Sequence, residues 1–292
     1  MLRTQLAAGR LLRLRRQVYL DAHAWPADPV GRHLMLARAE VAVYPDAVLS
    51  HQSAALVWGL PSPGWTPWER DRPSVTLPSG GTRRAADGPC RHRTALLPPH
   101  HRVRDDAGYL VTTPARTAVD LAAGRDLPGQ LVLFDATARL LIEAMLARPR
   151  RSDYAAGRLV EAAREHLAHA AATTRRTGLL AGIALADPRR ESPIESLSAG
   201  HMVLAGIPLP QFQHPFRTRL GTMYADCYWP AQHLIGEADG VVKYADPNAF
   251  EREKRREQAL RDLGLRMVRW LGREVMADPE VVMARIRRAL AD

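Results

Sequence analysis

Cysteine is nearly absent: Cys90 and Cys227 are the only two in 292 residues. Neither has a neighbour at metal-ligand spacing, which excludes a zinc finger and a disulfide framework. That scarcity points to a reducing, cytoplasmic compartment. No apolar run reaches the length that spans a bilayer, so no membrane partner is expected. A Gly-rich phosphate loop and a nucleophile elbow are both missing, which leaves small-molecule group transfer without support. Lysine is scarce too: of 41 basic residues only Lys243 and Lys254 are lysine. There is no internal repeat and no low-complexity segment.

What the chain does carry is arginine, with a formal net charge of +10. Its placement says more than its amount. Residues 1–100 hold 13 basic and 7 acidic side chains, residues 251–292 hold 11 and 8, and residues 201–250 only 3 and 4. An acidic stretch flanked by basic surface suits a phosphate backbone held near a metal ion; solvated basic faces are the plain alternative. The start, Met1 to Tyr19, lacks an apolar core of signal-peptide length, because Arg10, Arg13, Arg15 and Arg16 interrupt it. The same four arginines are candidates to grip phosphates.

The length predicts two domains, and the patterning divides the chain at 1–124, a helical connector at 125–188, and 189–292. Alternating Leu12, Leu14 and Val18 predict a two-stranded wing over Gly9 to Leu20. A helix follows over about 30–44. Ser50 and Gly59 bracket another, and Thr113-Pro114 opens a third after a strand at Gly108 to Val111. Residues 130–182 read as mostly helical, and Asp187-Pro188 marks a boundary. From Ser192 the order reads helix, three strands, helix, strand, helix: a helix to about Ala205, strands at Gln211 to Phe216, Met223 to Trp229 and Leu234 to Val242, a charged helix at Phe250 to Leu263, a strand at Leu265 to Leu271 and a last helix at about Asp278 to Leu290.

Strand alternation places Tyr224, Asp226 and Tyr228 on one face, and Glu237, Asp239 and Lys243 on one face of the next strand. The short turn at Pro230 to His233 makes these strands hairpin neighbours, so Asp226, Glu237 and Asp239 are expected to converge. Clustered carboxylates repel each other and lose solvation, and a divalent cation resolves both; oxygen ligands favour Mg²⁺ or Mn²⁺. Glu195, on the preceding helix, is a further ligand or water-positioning candidate. Lys243 is the candidate to stabilise the transition-state phosphate. Ordinary surface acids on a solvated hairpin are the alternative. Arg256, in the charged helix, and Arg269, on the last strand, are candidate nucleic-acid contacts.

Several short motifs occur in order: Glu191-Ser192-Pro193-Ile194-Glu195-Ser196, Gly206-Ile207-Pro208, Ala225-Asp226, Gly236-Glu237-Ala238-Asp239-Gly240, Glu253-Lys254-Arg255-Arg256-Glu257 and Val268-Arg269-Trp270. Over about 190–275 the chain resembles a bacterial domain related to very-short-patch-repair endonucleases, within the PD-(D/E)xK superfamily. The resemblance implies a restriction-endonuclease-like αβββαβ core with Asp226 and Glu237 as metal ligands. One departure stands out. The usual E-x-K triplet has lysine where this chain has Asp239, which assigns the lysine's role to Lys243.

The N-terminal half carries a second resemblance, in Gly9 to Tyr19, in Leu49-Ser50-His51 through Gly59-Leu60-Pro61, and in Val111-Thr112-Thr113-Pro114-Ala115-Arg116-Thr117 with Asp120-Leu121. These resemble AbiEi-type antitoxins of type IV toxin–antitoxin systems. The resemblance implies a winged helix-turn-helix, here truncated to the wing, and a cognate toxin as partner. The expected class is therefore α/β in the α+β sense, with a truncated winged-helix-like and helical first part. The expected function is Mg²⁺-dependent phosphodiester hydrolysis by a DNA-associated protein. The alternative is a non-enzymatic AbiEi-like antitoxin or transcriptional regulator with an inactive nuclease fold.

Overall fold

Leucine and valine alternating with arginine give a ribbon. After a short helix, α1 (Leu2–Ala7), the strands β1 (Leu11–Arg15) and β2 (Val18–Asp21) pair antiparallel. The computed structural model describes residues 1–78, 89–239 and 247–291. It forms two units, one of residues 1–123 and 165–180, the other of 124–164 and 181–292. Both mix helices with sheets, so the chain is α+β. Among the described residues no helix is long and apolar enough to cross a membrane.

In the first unit Asp28 caps α2 (Pro29–Val41) by accepting from Gly31 N at 2.7 Å. A five-stranded sheet follows, ordered β5-β4-β3-β7-β6. Its strands are β3 (Val48–Leu49), β4 (Ser74–Leu77), β5 (Arg91–Thr94), β6 (Arg102–Arg104) and β7 (Leu110–Thr112). The central pair is parallel, with Leu49 beside Val111. Each of those two strands runs straight into a helix: β3 into α3 (His51–Trp58), stopped by Gly59 in the left-handed region, and β7 into α4 (Pro114–Ala122), capped by Thr113. These are two of the three segments that carry the motifs of the N-terminal half. Ala37, Leu49, Ala54 and Val111 form the core between them. Buried Asp120 neutralises Arg116 at 2.9 Å and Arg176 at 2.6 Å.

The second unit starts with α5 (Leu127–Met145), opened by an Asp126 cap on Gly129 N. The chain then runs through α6 (Gly157–Thr173), which begins in this unit and ends in the first, and α7 (Leu180–Ala184). Next come α8 (Pro193–Leu204), β8 (Gln211–Thr218), β9 (Gly221–Trp229), β10 (Leu234–Asp239), α9 (Pro247–Arg261), β11 (Arg266–Leu271), α10 (Gly272–Ala277) and α11 (Pro279–Ala291). The sheet is ordered β11-β10-β9-β8. The two hairpins are antiparallel, and β10 and β11 pair parallel across the α9 crossover. Leu131 and Val132 of α5, Met202 of α8, Trp229 and Trp270 of the sheet, and Met283 of α11 share one core. Ile235 packs with Leu260 of α9 in another.

The helix–strand order from Ser192 is the one the sequence predicts, with small shifts at the ends and one addition: α10 precedes the expected last helix, which is α11. The expected strand end at residues 240–242 lies outside the described residues. The 125–188 stretch does not stand apart as a connector. Gly200 of α8 lies so close to Pro128 of α5 that a Cβ there would meet Pro128 Cα at 2.4 Å. Arg190 grips Asp135 of α5 at 2.6 and 2.8 Å, with both side chains buried. Residues 165–180, by contrast, belong to the first unit.

Candidate functional site

Register places the acids. Gly236 of β10 pairs with Cys227 of β9, so the next position along sets Glu237 across from Asp226 on the same face. Asp226 Oδ2 accepts from the Ala238 backbone N at 3.0 Å, which draws its carboxylate onto β10 between Glu237 and Asp239. Glu195 arrives from the first turn of α8. Ser192 is the N-cap, accepting from Glu195 N at 3.2 Å and donating to Glu195 Oε1 at 2.8 Å, while Glu195 Oε2 accepts from Glu191 N at 3.1 Å. Glu195 thus also serves the helix start.

Gln213 joins the two sides. Its Nε2 donates to Glu195 Oε2 at 3.0 Å and to Asp226 Oδ1 at 3.2 Å. Its backbone sits at φ 53°, in the left-handed region that side-chain-bearing residues seldom adopt.

The electrostatics follow from this crowding. Burial, and then the charge of Asp226, push Glu195 up to about 7, against hydrogen bonds from Ser192, Glu191 N and Gln213. The same two causes push Glu237 up to about 7, against Arg256. Asp226 is also raised, by burial first, with the Ala238 N–H the largest opposing influence. Two buried carboxyls and the half-buried Asp226 beside them resist carrying three negative charges at once.

The other predicted residues fall in different places. Asp239 ends β10 half-buried, 4.0 Å from Arg269, which stands opposite Glu237 in the parallel pair. Lys243 lies outside the described residues. Arg256 does not face outward for a phosphate. Its Nη1 and Nη2 lie on Glu237 at 3.0 and 3.2 Å, and Nη2 also donates to the Tyr224 carbonyl at 2.6 Å. On the ribbon, Arg10, Arg13 and Arg16 are exposed. Arg15 is not: it pairs with buried Glu40, which His92 also contacts at 2.8 Å, and it lies over the Tyr44 ring.

Asp226, Glu237 and Asp239 offer the carboxylate oxygens that a hard divalent cation takes, but the three do not bring their ligand atoms within 4.8 Å of one another, so the expected convergence is incomplete. Glu237 already has a positive partner in Arg256. Among the described residues, one group of three metal-ligating side chains has its ligand atoms within 4.8 Å of one another, and it is not acidic. It is His100, His101 and His169, in the first unit. The nitrogen Nδ1 of His101 pairs with Arg116 Nη1 at 3.1 Å, and its ring is pushed down to about 4, by burial first and by Arg116 next. His92, His100 and His101 show no ligand spacing in the sequence, and only folding brings His169 to two of them. Gln213 carried no sequence signal either.

No family model matches the chain, and no solved structure does. Two proteins of Mycobacterium tuberculosis, "Uncharacterized protein MT2308" and "Uncharacterized protein Rv2248", are each 31% identical over 194 residues. The matched stretch spans 65% of this chain and 65% of each of these relatives, so the similarity covers less than two thirds of their length.

Proposed function

We propose that the second unit is a PD-(D/E)xK-type phosphodiesterase that acts on DNA with Mg²⁺ or Mn²⁺, in the cytoplasm, and that the first is an AbiEi-like module with a cognate toxin as partner. One observation carries the catalytic reading: Glu195, Asp226 and Glu237 are drawn to one face of the β8–β9–β10 sheet, with Glu195 and Glu237 held near 7. Asp226, Glu237 and Asp239 would hold the ion. When bound, the ion supplies positive charge to the phosphate and eases deprotonation of water. Glu195, poised near neutrality, takes up a proton at its carboxylate, which is general-base work. Gln213 keeps the Glu195 and Asp226 carboxylates in register. Arg269 offers charge at the rim.

A second reading rests on Arg256. A guanidinium already neutralises Glu237, which favours a DNA-binding regulator whose nuclease-like fold is a scaffold. One experiment separates the two. Purified protein is incubated with single- and double-stranded DNA and RNA in Mg²⁺, Mn²⁺ or EDTA. The catalytic reading expects metal-dependent cleavage that falls at least roughly 100-fold in Asp226→Asn and in Glu237→Gln, because a neutral amide is a poor ligand for a hard cation. Asp239→Lys, which restores the superfamily triplet, should rescue Lys243→Ala. No cleavage of any substrate, with no Mn²⁺ binding by calorimetry, leaves the scaffold reading.

A further inference from the structure

Next to the acids, within the second unit, lies a cavity of about 230 Å³ whose wall includes Arg139, Arg151, Tyr154, Gln213 and Tyr224. Its residues come from three parts of the chain, one of them Arg189 and Glu191 just before α8. Arg139 sits on α5, Arg151 and Tyr154 lie in the turn beyond it, and Gln213 and Tyr224 come from β8 and β9. The volume is below that of a typical drug-sized pocket and suits one small planar group with its attachment.

The wall is built of flat surfaces. Arg139 lies over the Tyr154 ring and Arg151 over the Tyr224 ring, each at 4.0 Å from the centroid. Stacked guanidinium and phenol planes offer π-faces on which a base can lie whatever its identity. Both arginines are held by Glu191, which itself lines the cavity, 3.0 Å from Arg151 and 3.7 Å from Arg139. The Arg151 side chain is 40% exposed, so the wall can be reached from solvent.

The cavity is wired to the acids by one amide. Arg151 Nη2 donates to Gln213 Oε1 at 2.5 Å, and Nε2 of the same amide donates to Glu195 and Asp226. The left-handed backbone at Gln213 is costly for a residue with a side chain, and such strain gathers where geometry serves a site. Its effect here is to hold the amide between the two compartments.

We propose that this cavity receives one unpaired nucleotide of a nucleic-acid strand, stacked on the Arg151–Tyr224 wall beside the phosphate that the acids face. Gln213 then couples its arrival to the positions of Glu195 and Asp226. This rests on reading the acidic cluster as a nucleic-acid site.

The test uses the full chain in EDTA, so that nothing is cut, with fluorescence anisotropy on three labelled DNA probes. These are a short perfect duplex, the same duplex with one bulged nucleotide, and that bulge made abasic. The bulged base should bind roughly tenfold tighter than the abasic bulge. Arg151→Ala, at an exposed side chain, and Tyr224→Ala should each collapse that difference, with the perfect duplex as reference. Equal binding of base and abasic probes by the wild type overturns the proposal. So does a difference that survives Arg151→Ala, or no binding of any probe. Base-dependent binding by a protein that never cleaves keeps the cavity and removes the catalysis; cleavage with base-independent binding does the reverse.

Discussion

Arg256 sets two guanidinium nitrogens against the two carboxylate oxygens of Glu237, at 3.0 and 3.2 Å. A helix residue thereby neutralises a strand residue at the place where a metal ion would need negative charge. The two cations compete for Glu237, and unit charges at such range interact by several kcal/mol even near a protein surface, ~4 kcal/mol at 4 Å. Arg256→Ala should therefore tighten Mn²⁺ binding several-fold, read by calorimetry. Weaker binding than wild type would mean that the arginine helps to assemble the site.

The second prediction concerns pH. Glu195 and Glu237 have an ordinary value of 4.5 and are raised to about 7 in the fold. Between those values the folded protein holds more protons than the unfolded chain, so stability falls as pH rises from about 4.5 through 7. Each buried carboxylate costs on the order of 3 kcal/mol once fully ionised. Glu195→Gln keeps the shape and removes the charge. It should melt above wild type at pH near 8 and close to it at pH near 5, and Mg²⁺ should narrow the gap at the higher pH. A variant that melts below wild type at both would show that the capping role of Glu195 outweighs its charge.

A third prediction concerns the glycine beside the acids. A Cβ on Gly236 would meet Trp270 ring carbons at 2.8 and 2.9 Å and Trp229 at 3.0 Å. Neither ring can slide freely, because Trp229 Nε1 donates to the Pro208 carbonyl at 2.7 Å and Trp270 Nε1 to Ser198 Oγ at 2.8 Å. Gly236→Ala should cost about 1–3 kcal/mol, the usual range for overpacking a filled core, measured by urea unfolding followed through tryptophan emission. An unchanged midpoint would show that the rings have room.

The ribbon arginines divide into two kinds. Arg13 is exposed, whereas Arg15 is paired with buried Glu40. If the ribbon grips phosphates, Arg13→Ala should weaken DNA binding on all sequences alike and flatten its salt dependence by roughly one contact. Arg15→Ala should instead lower stability by about 3 kcal/mol, because it leaves the buried Glu40 carboxylate with His92 but without its permanently charged partner. Identical salt slopes for wild type and Arg13→Ala would remove the ribbon from the interface.

The order of elements after Ser192 is legible because each has a local signal: a Ser cap with Pro193, period-two alternation in β9, and Gly264 after α9. The shared face of Asp226 and Glu237 is legible for the same reason, since alternation and a short turn settle it. What partners them is not. Arg256 lies in a helix whose charge pattern equally suits solvent, and its reach to Glu237 depends on how α9 docks. Gln213 sits in a strand with no glycine to announce a left-handed backbone. Arg139 and Arg151 belong to a stretch that reads as uniform Ala-, Leu- and Arg-rich helix. Its Ala and Leu suit a core-facing helix, but the partner is written only at Gly200, one small residue in another helix.

That the first unit takes residues 165–180 from beyond the second unit's opening segment has a consequence for the nascent chain. The ribosome releases α5 before the first unit can close. Leu131 and Val132 then wait, uncovered, for Met202, Trp229 and Trp270. At about 5–20 residues per second, the interval until β11 emerges is on the order of ten seconds. During synthesis, then, the half-made second unit leaves this apolar surface uncovered for that interval, and slow codons after α5 would lengthen its exposure.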